Sequence, residues 1–419
     1  MSKVTSSRAG KKAGDFPLTV HPNGQYAKKR LGKVFYFGKV SNGKDAALRE
    51  YRATWDHILE HGVKPSVQVS QPTPEPEPEA GQLTVKLLVN SFLASKLAMV
   101  PKEISPRTWK DYKETCERLL KAFGPTRPVA ELQPEDFQKL RTLIARRRGP
   151  VALGNEVQRV RTVFKYGYED GHLPKPVLFG QAFRKPQKKV MRQTRAASRL
   201  VNGKRMLTAE EFRTAYAAAS MPLKVMMLLA INGGLGQSDL SSLKVAHLDL
   251  DGGWLDYPRP KTGIDRRIPL WPETVAAIRE WLPLNPKAKL PEDAGLLFIT
   301  KYGGRWSKIF DLKTETLADG SERVIGGGSA NDSIGKEFTK VLRSTGIKPK
   351  GERKGLSFYA IRHSFETVAG ETADQVSVDA IMGHVDPSMS AAYREGISDE
   401  RLRKVVDFVR EWLGPLDSK

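Results

Sequence analysis

Residues 356–396 have the sequence LSFYAIRHSFETVAGETADQVSVDAIMGHVDPSMSAAYREG, which contains two arginines, two histidines and two tyrosines. Arg362 and His363 lie in a predicted helix, His384 follows in a Met-Gly-His turn, and Tyr393 comes nine residues later. A guanidinium binds two phosphate oxygens at once and stays charged at working pH. A histidine can donate to the same group, and a phenol can be a covalent nucleophile. The stretch therefore predicts phosphoryl-transfer chemistry.

The order and spacing of these residues resemble the C-terminal signature of the tyrosine recombinases, the phage-integrase family. That family has H-x-x-R-H, then L-G-H, then a tyrosine, which correspond here to residues 359–363, 382–384 and Tyr393. Three elements in order are far more specific than an Arg-His pair alone. The alternative interpretation of the set is a surface arginine, a turn histidine and a half-buried core tyrosine.

Composition favours a nucleic-acid partner. The chain has 69 basic and 47 acidic residues and a formal net charge of +22. Such an excess favours a polyanion, of which nucleic acid is the commonest. No apolar run approaches the roughly 18 residues needed to span a bilayer, which argues against a membrane partner. The basic N-terminus lacks the apolar core of a secretory signal, so we expect a cytoplasmic protein. The resemblance implies a bacterial or phage context and association with the nucleoid.

The 419 residues suggest two or three domains. Cys116 is the only cysteine, which excludes an intrachain disulfide and a cysteine-based zinc site. We expect neither a metal nor a cofactor. The predicted segments are a disordered basic tail (1–14), a small strand-helix module (15–63), a Pro/Glu-rich linker (64–82), a helical domain (83–183), a basic interdomain linker (184–205) and a final domain with a C-terminal helix (206–419).

The resemblance implies a fold for each of these segments. It implies a mainly helical protein in which a small arm-type module precedes a helical core-binding domain of SAM-like type. An α+β catalytic domain with a three-stranded edge sheet follows, and the last two domains would form a C-shaped clamp on DNA. The segment 301–330 is expected to be an insertion or a flexible loop, and the last helix is expected to dock on a neighbouring subunit or to pack in cis.

Two basic segments are the candidate DNA-backbone contacts. The run 184–205 contains nine basic residues and no acidic one, and such a run repels itself unless a polyphosphate neutralises it. Its contacts should add affinity and salt dependence but no sequence choice. The predicted DNA-binding residues are Arg184, Lys185, Lys188, Lys189, Arg192 and Arg195, together with Arg146, Arg147 and Arg148 in a loop of the helical domain.

The resemblance also implies a role for each site residue. Tyr393 would attack a DNA strand and form a 3′-phosphotyrosine, which a partner strand would reverse without a cofactor. Arg362 would bind the non-bridging oxygens, and His384 would donate to the same phosphate. Lys261, in a hairpin, would protonate the leaving 5′-oxygen; its alternative is an exposed turn charge. Tyr359 takes the place of the variable second-box histidine.

One position departs from the family pattern. The first box, T-G-x-R-x-x-E-L, aligns with residues 233–240 and places Gly236 where a second arginine belongs. Removing one preorganised donor to a charged transition state lowers the rate by about 10²–10³. Gln237 could replace it with a neutral hydrogen bond, or Arg266 or Arg267 could take its place.

Gly236 leaves two main hypotheses for function. The first is an active recombinase of a mobile element, which integrates or excises DNA with another group replacing the arginine. The second is a catalytically inactive DNA-binding protein on the same fold. A basic RNA-binding protein would explain the charge but not the ordered signature. The expected partners are double-stranded DNA, further copies of the chain in a tetramer on DNA, and DNA-bending accessory proteins.

Overall fold

The computed structural model describes residues 16–64, 82–308, 312–316, 322–327, 330–386, 388–389 and 393–416. The chain divides into two compact units, Met1–Glu77 and Pro78–Lys419. The predicted tail (1–14) and nearly all of the predicted linker (64–82) lie outside the described residues, and both stay predictions.

The first unit is a small antiparallel sheet with one helix. Its strands, in spatial order, are β1 (Thr19–His21), β2 (Gln25–Arg30) and β3 (Lys33–Lys39). Helix α1 (Lys44–His61) packs against β3. Phe37 and Ile58 are fully buried in this small core, because the aromatic and apolar residues of β3 alternate toward the helix.

The second unit begins with four helices around an aromatic core. They are α2 (Val85–Ala98), α3 (Pro106–Phe123), α4 (Pro134–Ala145) and α5 (Pro150–Glu169). Ser105 caps the start of α3, since its hydroxyl accepts from the Thr108 amide at 3.1 Å. Phe92, Phe137 and Phe164 are buried, and each of them contacts other aromatic rings edge-on.

A buried carboxylate joins three parts of this helical region. Glu156 on α5 is fully buried. It accepts from Arg118 Nε at 2.6 Å and from Arg118 Nη2 at 2.9 Å. Arg159 and Arg148 lie 3.6 and 3.7 Å from its Oε2. Burial of a carboxylate is tolerated only with such compensation, so Glu156 fixes α3 against α5 and holds the loop that contains Arg148.

The basic segment predicted as an interdomain linker is largely helical. Helix α6 (Lys188–Asn202) occupies most of 184–205 and has no buried residue. Alanine, arginine, lysine and glutamine are strong helix formers, and the helix ends where Gly203 takes a left-handed φ of +73°. The charge of this segment was recognised in the sequence, but its helical propensity was not.

The rest of the unit surrounds one apolar helix. Its helices are α7 (Ala209–Ala217), α8 (Met221–Gly233), α9 (Gln237–Ser242), α10 (Pro272–Trp281), α11 (Ser333–Ser344), α12 (Tyr359–Ala369), α13 (Gln375–Met382) and α14 (Asp399–Leu413). Residues 225–233 of α8 are all buried, packed by α10, α11, α12 and α14. In the described part of the chain, no helix is both long and apolar enough to cross a membrane.

An antiparallel sheet lies beside this helical core. Its strands are β4 (Leu248–Asp249), β5 (Trp254–Asp256) and β6 (Arg267–Pro269), in that spatial order. Ile268 faces the core and is fully buried. The predicted three-stranded sheet is therefore confirmed, and its β5–β6 connection contains Lys261.

For the segment 301–330 the expectation of a flexible loop is wrong in the described residues, and the expectation of an insertion stays a prediction. Four short strands occur here: β7 (Ser307–Lys308), β8 (Leu312–Thr316), β9 (Glu322–Gly327) and β10 (Asn331–Asp332). β7 pairs with β10, and β8 pairs with β9 in a hairpin. Threonine and charged residues alternate in β8, and β9 ends with Gly326 and Gly327, which pair with Lys313 and Leu312.

The last helix packs in cis. Trp271 Nε1 donates to the Val406 carbonyl at 3.0 Å. The buried stripe of α14 consists of Leu402, Val405, Val406, Val409 and Leu413. Of the two expectations for this helix, the structure shows packing within the chain.

Candidate active site

Arg362 lies on α12 with its side chain only 2% exposed. Its Nη1 donates to the Gly234 carbonyl after α8, and its Nη2 donates to the Met382 carbonyl of α13 at 3.0 Å. Carbonyls at helix ends have no partner within their helix, so Arg362 satisfies two of them and aligns three helices. The interpretation of Arg362 as a surface charge is wrong.

His384 is paired with Arg362. Arg362 Nη2 lies 2.9 Å from His384 Nε2, and His384 Nδ1 lies 3.1 Å from Asp379 Oδ1. Because a guanidinium only donates, we assign Nε2 as the acceptor and place the ring proton on Nδ1, where it is donated to Asp379. In this arrangement His384 can donate to a phosphate only after Arg362 turns to the anion and Nε2 gains a proton.

The turn before His384 requires glycine. Gly383 has a φ of +64°, and a Cβ built on it would lie 2.8 Å from Arg266 Cδ and 3.0 Å from Arg259 Cβ. Left-handed backbone is costly for residues with a Cβ. The Met-Gly-His sequence therefore lets two arginine side chains pass directly against the backbone beside His384.

Lys261 lies in the β5–β6 connection and is exposed. The same connection is bound to the His384 turn, because Thr262 Oγ1 and Arg259 Nη1 each donate to the Gly383 carbonyl at 3.1 Å. Lys261 is thus held on a loop that contacts the residue preceding His384. Its role as a general acid stays a prediction.

Position 236 faces the same cluster. Gly236 is the N-cap of α9, and its amide donates to Asp239 Oδ2 at 2.9 Å. A Cβ built on Gly236 would lie 3.4 Å from Tyr359 Cε2 and 3.7 Å from Asp239 Oδ2, which are ordinary contacts. Neither space nor backbone conformation therefore excludes a Cβ at this position. Tyr359 is 41% exposed, and its ring forms the adjacent wall.

Tyr393 is 81% exposed, so the interpretation of this residue as a half-buried core tyrosine is wrong. Within the described residues, no hydrogen bond or ring contact joins Tyr393 to Arg362 or His384. Its neighbour Arg394 pairs with Asp386 at 3.4 Å. The structure thus brings Arg362, His384 and the Lys261 loop together, but it does not bring Tyr393 to them.

Three further site residues were not recognised in the sequence. Asp239 lies three positions after the N-cap glycine, which is the spacing of a capping box. Asp379 lies five positions before His384, at the distance of somewhat more than one helical turn. Arg259 stands two positions before Lys261 in an Arg-Pro-Lys-Thr-Gly sequence. The sequence spacing could therefore have indicated Asp239 and Asp379, but not Arg259.

The predicted DNA-binding residues lie on the surface, with one exception. Arg148 is half-buried beside Glu156. The exposed ones are Arg146, Arg147, Arg184, Lys185, Lys188, Lys189, Arg192 and Arg195. A cavity of about 450 Å³ next to α6 is lined by Arg195, Arg199, Arg205 and His363, among others, so the basic helix approaches the helix that contains Arg362.

The site has an excess of positive charge. Burial lowers the pKa of the Arg362 guanidinium, and nearby Arg259 lowers it further. Burial also lowers the pKa of Arg266, which Asp239 partly offsets. In the described residues no cluster of three or more His, Cys, Asp or Glu side chains could hold a metal ion. The arrangement is suited to an anion.

Known proteins with similar sequences and folds are recombinases. Residues 204–398 match the model of the phage integrase family. The tyrosine recombinase XerC of Pseudomonas entomophila (strain L48) is 24% identical over 300 residues, covering 70% of this chain and 86% of that protein. A lambda integrase dimer bound to a COC′ core site matches with a TM-score of 0.52 at 16% identity, covering 92% of this chain and 97% of that one.

A lambda integrase tetramer bound to a Holliday junction matches with a TM-score of 0.51 at 16% identity, covering 93% of this chain and 99% of that one. At this identity the two structures establish similarity of fold. The matched sequence region, residues 204–398, includes Lys261, Tyr359, Arg362, His384 and Tyr393. Residues 204–398 therefore form a domain of the phage integrase family, the tyrosine recombinases.

Proposed function

We propose that this protein is an active site-specific recombinase that cuts and rejoins DNA through a 3′-phosphotyrosine at Tyr393. The observation that supports it best is the Arg362–His384 pair at 2.9 Å, with the Lys261 loop bound to the intervening turn. A protein that only binds DNA has no need for an oriented histidine and a lysine loop beside this arginine.

The proposed reaction assigns each group a distinct step. The Tyr393 phenol oxygen attacks the phosphorus and releases its proton to solvent, while the bond from phosphorus to the 5′-oxygen breaks. Lys261 gives a proton to that oxygen, which leaves as a hydroxyl. Arg362 and a protonated His384 stabilise the charge on the non-bridging oxygens. A 5′-hydroxyl of a partner strand then reverses the step and releases Tyr393.

Tyr393 must move toward Arg362 for this reaction. Its ring is 81% exposed and contacts neither Arg362 nor His384 in the described residues. Binding of a phosphodiester would supply the missing anion, turn Arg362 Nη2 away from His384 and give the tyrosine its target. Such a requirement would keep the nucleophile inactive until DNA is in place.

The DNA contacts follow from the basic surfaces. The exposed lysines and arginines of α6 and the loop containing Arg146 and Arg147 would neutralise phosphates on the duplex. We propose that four copies of the chain assemble on two DNA sites, helped by DNA-bending proteins, to integrate or excise a mobile element. The tetramer on a Holliday junction seen for lambda integrase supports this assembly. The reaction would take place on the bacterial nucleoid.

The alternative function is an inactive DNA-binding protein, and Gly236 is the observation that favours it. Without a second arginine, the transition-state charge has fewer donors. The basic surfaces and the fold would serve binding equally well. The two functions differ in one property, the formation of a covalent bond between protein and DNA.

Capture of that bond tests the proposal. Affinity-tagged protein is expressed in a bacterial host that contains the element, recovered in denaturing detergent, and the attached DNA is sequenced. Tyr393→Phe is the test variant, and Tyr302→Phe is the matched control because Tyr302 is also well exposed, at 71%. We expect DNA from discrete sites with the unchanged protein and with Tyr302→Phe, and none with Tyr393→Phe.

The opposite outcome is equally clear. Protein that releases all DNA on denaturation, while native recovery still yields DNA, would contradict the enzyme and support the inactive binder.

A further inference from the structure

The surroundings of Gly236 contain more positive charge than they neutralise. The guanidinium of Arg362 and that of Arg266 are buried here, with Arg259 partly buried beside them. Asp239 is the carboxylate that lies among them. Buried charges are expected to be paired, so this cluster lacks an anion.

Arg266 is the least satisfied member of the cluster. Its Nε donates to the Tyr257 carbonyl at 3.0 Å, and its Nη1 lies 3.5 Å from Asp239 Oδ2. Its Nη2 is buried without any hydrogen-bond partner. A guanidinium has five N–H donors, two of them on this nitrogen. Such an orphaned donor in a native fold calls for an explanation, and a bound ligand is one.

The head of Arg266 lies beside position 236. The oxygen that Arg266 Nη1 approaches, Asp239 Oδ2, is the one that accepts from the Gly236 amide at 2.9 Å. Arg266 Cδ also passes against Gly383, next to His384. A guanidinium that starts from β6 thus shares its acceptor oxygen with the Gly236 amide.

From this geometry we propose that Arg266 supplies the second arginine of the phosphate site, so that its free Nη2 and Arg362 together bind the scissile phosphodiester. The proposal rests on the proposed function. In this view the arginine that the family has at position 236, at the start of α9, is replaced by Arg266 next to β6. Asp239 then positions the Arg266 side chain.

The other replacements suggested by the sequence are engaged elsewhere. Arg267 pairs with Asp256 and Asp399, each at 2.9 Å, and its guanidinium stacks 4.0 Å from the Trp254 ring. Gln237 Nε2 donates to Asp332 Oδ2 at 3.3 Å.

Arg259 is a closer competitor, but its Nη1 is bound to the Gly383 carbonyl. That bond holds the Lys261 loop on the turn before His384. Its loss would therefore disturb the predicted general acid as well as the charge of the site.

Burial provides a second reason to expect an anion. It lowers the pKa of both Arg266 and Arg362. A phosphate between the two guanidiniums would favour their charged forms and fill the acceptor position that Nη2 lacks. We expect the site to be strained without DNA and relaxed with it.

The test is a rescue experiment on DNA recovered by the covalent capture. Arg266→Gln should lower single-turnover cleavage by about 10²–10³-fold, the usual effect of losing one preorganised donor. Arg267→Gln, at an exposed neighbour of the same charge, should change it less than about threefold. The decisive protein is the double variant Gly236→Arg/Arg266→Gln, because ordinary contacts surround a Cβ at 236. Its single-turnover cleavage rate should be at least about tenfold higher than that of Arg266→Gln.

A merely structural role of Arg266 would not allow this rescue. If Arg266→Gln does not fold, Arg266→Lys is used in its place, because lysine keeps the positive charge but lacks the planar guanidinium. Lost cleavage at unchanged melting temperature and DNA affinity would support the proposal. Unchanged cleavage in Arg266→Gln or in Arg266→Lys, or a double variant no better than Arg266→Gln, would overturn it.

The proposed function and this inference fail in different ways. If the unchanged protein forms no adduct, the proposed function fails; an adduct that appears only in Gly236→Arg would also show that Arg266 does not act as the replacement. If the unchanged protein forms adducts and Arg266 variants do so equally well, only the inference fails.

Discussion

Gly383→Ala tests how the site is packed. The substitution adds one methyl group at a residue with a φ of +64°, directly before His384. The new Cβ would lie 2.8 Å from Arg266 Cδ and 3.0 Å from Arg259 Cβ. Both arginines would have to move away from the turn, and Arg259 would lose its bond to the Gly383 carbonyl.

The expected magnitude follows from two costs. A left-handed conformation costs a non-glycine residue about 1–2 kcal/mol, and an extra methyl group in a packed site costs about 1–3 kcal/mol. Alanine has less conformational entropy than glycine in the unfolded state, and this difference offsets part of the two costs. We expect Gly383→Ala to lower the free energy of unfolding by about 2–4 kcal/mol. Cleavage should fall by at least about tenfold, because the anion site loses its geometry.

Gly263→Ala is the matched control. Gly263 has nearly the same φ, +69°, but no atom lies within 4 Å of a Cβ built there. It should show only the backbone cost, about 1 kcal/mol. Urea unfolding followed by tryptophan fluorescence measures both variants. Equal stability of the two variants would refute the inference that the arginines pack against Gly383.

Two further substitutions test the helical region and the link between α13 and α14. Glu156→Gln removes a buried charge to which Arg118 donates two hydrogen bonds, at 2.6 and 2.9 Å. It should lower the free energy of unfolding by about 3–5 kcal/mol. The exposed control Glu117→Gln should leave it almost unchanged, and equal effects of the two substitutions would contradict the role of Glu156. The Arg401 guanidinium and the Ser377 hydroxyl lower the pKa of Asp374 from 3.8 to about 2. Because the folded-state pKa is depressed, this contribution to stability is present above about pH 4 and is lost as the pH falls toward 2. Asp374→Asn should therefore flatten the acid limb of melting temperature against pH, and an unchanged limb would contradict the assignment.

The sequence is sufficient to predict those features of the fold that depend on contacts between neighbouring residues. Ser105-Pro106 begins α3, and Thr208 with Glu211 forms the capping box of α7. Both depend on contacts within four residues, which spacing alone can predict. The placement of Arg362 in a helix and of His384 after a glycine turn is predictable for the same reason.

What the sequence did not give depends on contacts between distant residues. Arg266 and Gly236 are thirty positions apart, and only the fold brings the Arg266 guanidinium to the Asp239 carboxylate. The burial of Arg362 likewise depends on carbonyls at the ends of two other helices. In 184–205 the high positive charge favours the prediction of a linker, although the same segment is rich in residues with high helix propensity.

The most direct test of the account is the identity of the bond between protein and DNA. Denatured adducts are digested with trypsin and nuclease, and the peptide 363–394, which contains Tyr393, is examined by mass spectrometry. We predict that this peptide bears a nucleotide on Tyr393 through its 3′-phosphate, and that the other DNA end at the cleavage site has a free 5′-hydroxyl. An unmodified peptide from protein that is bound to its DNA site, or a nucleotide joined to any other residue, would contradict it.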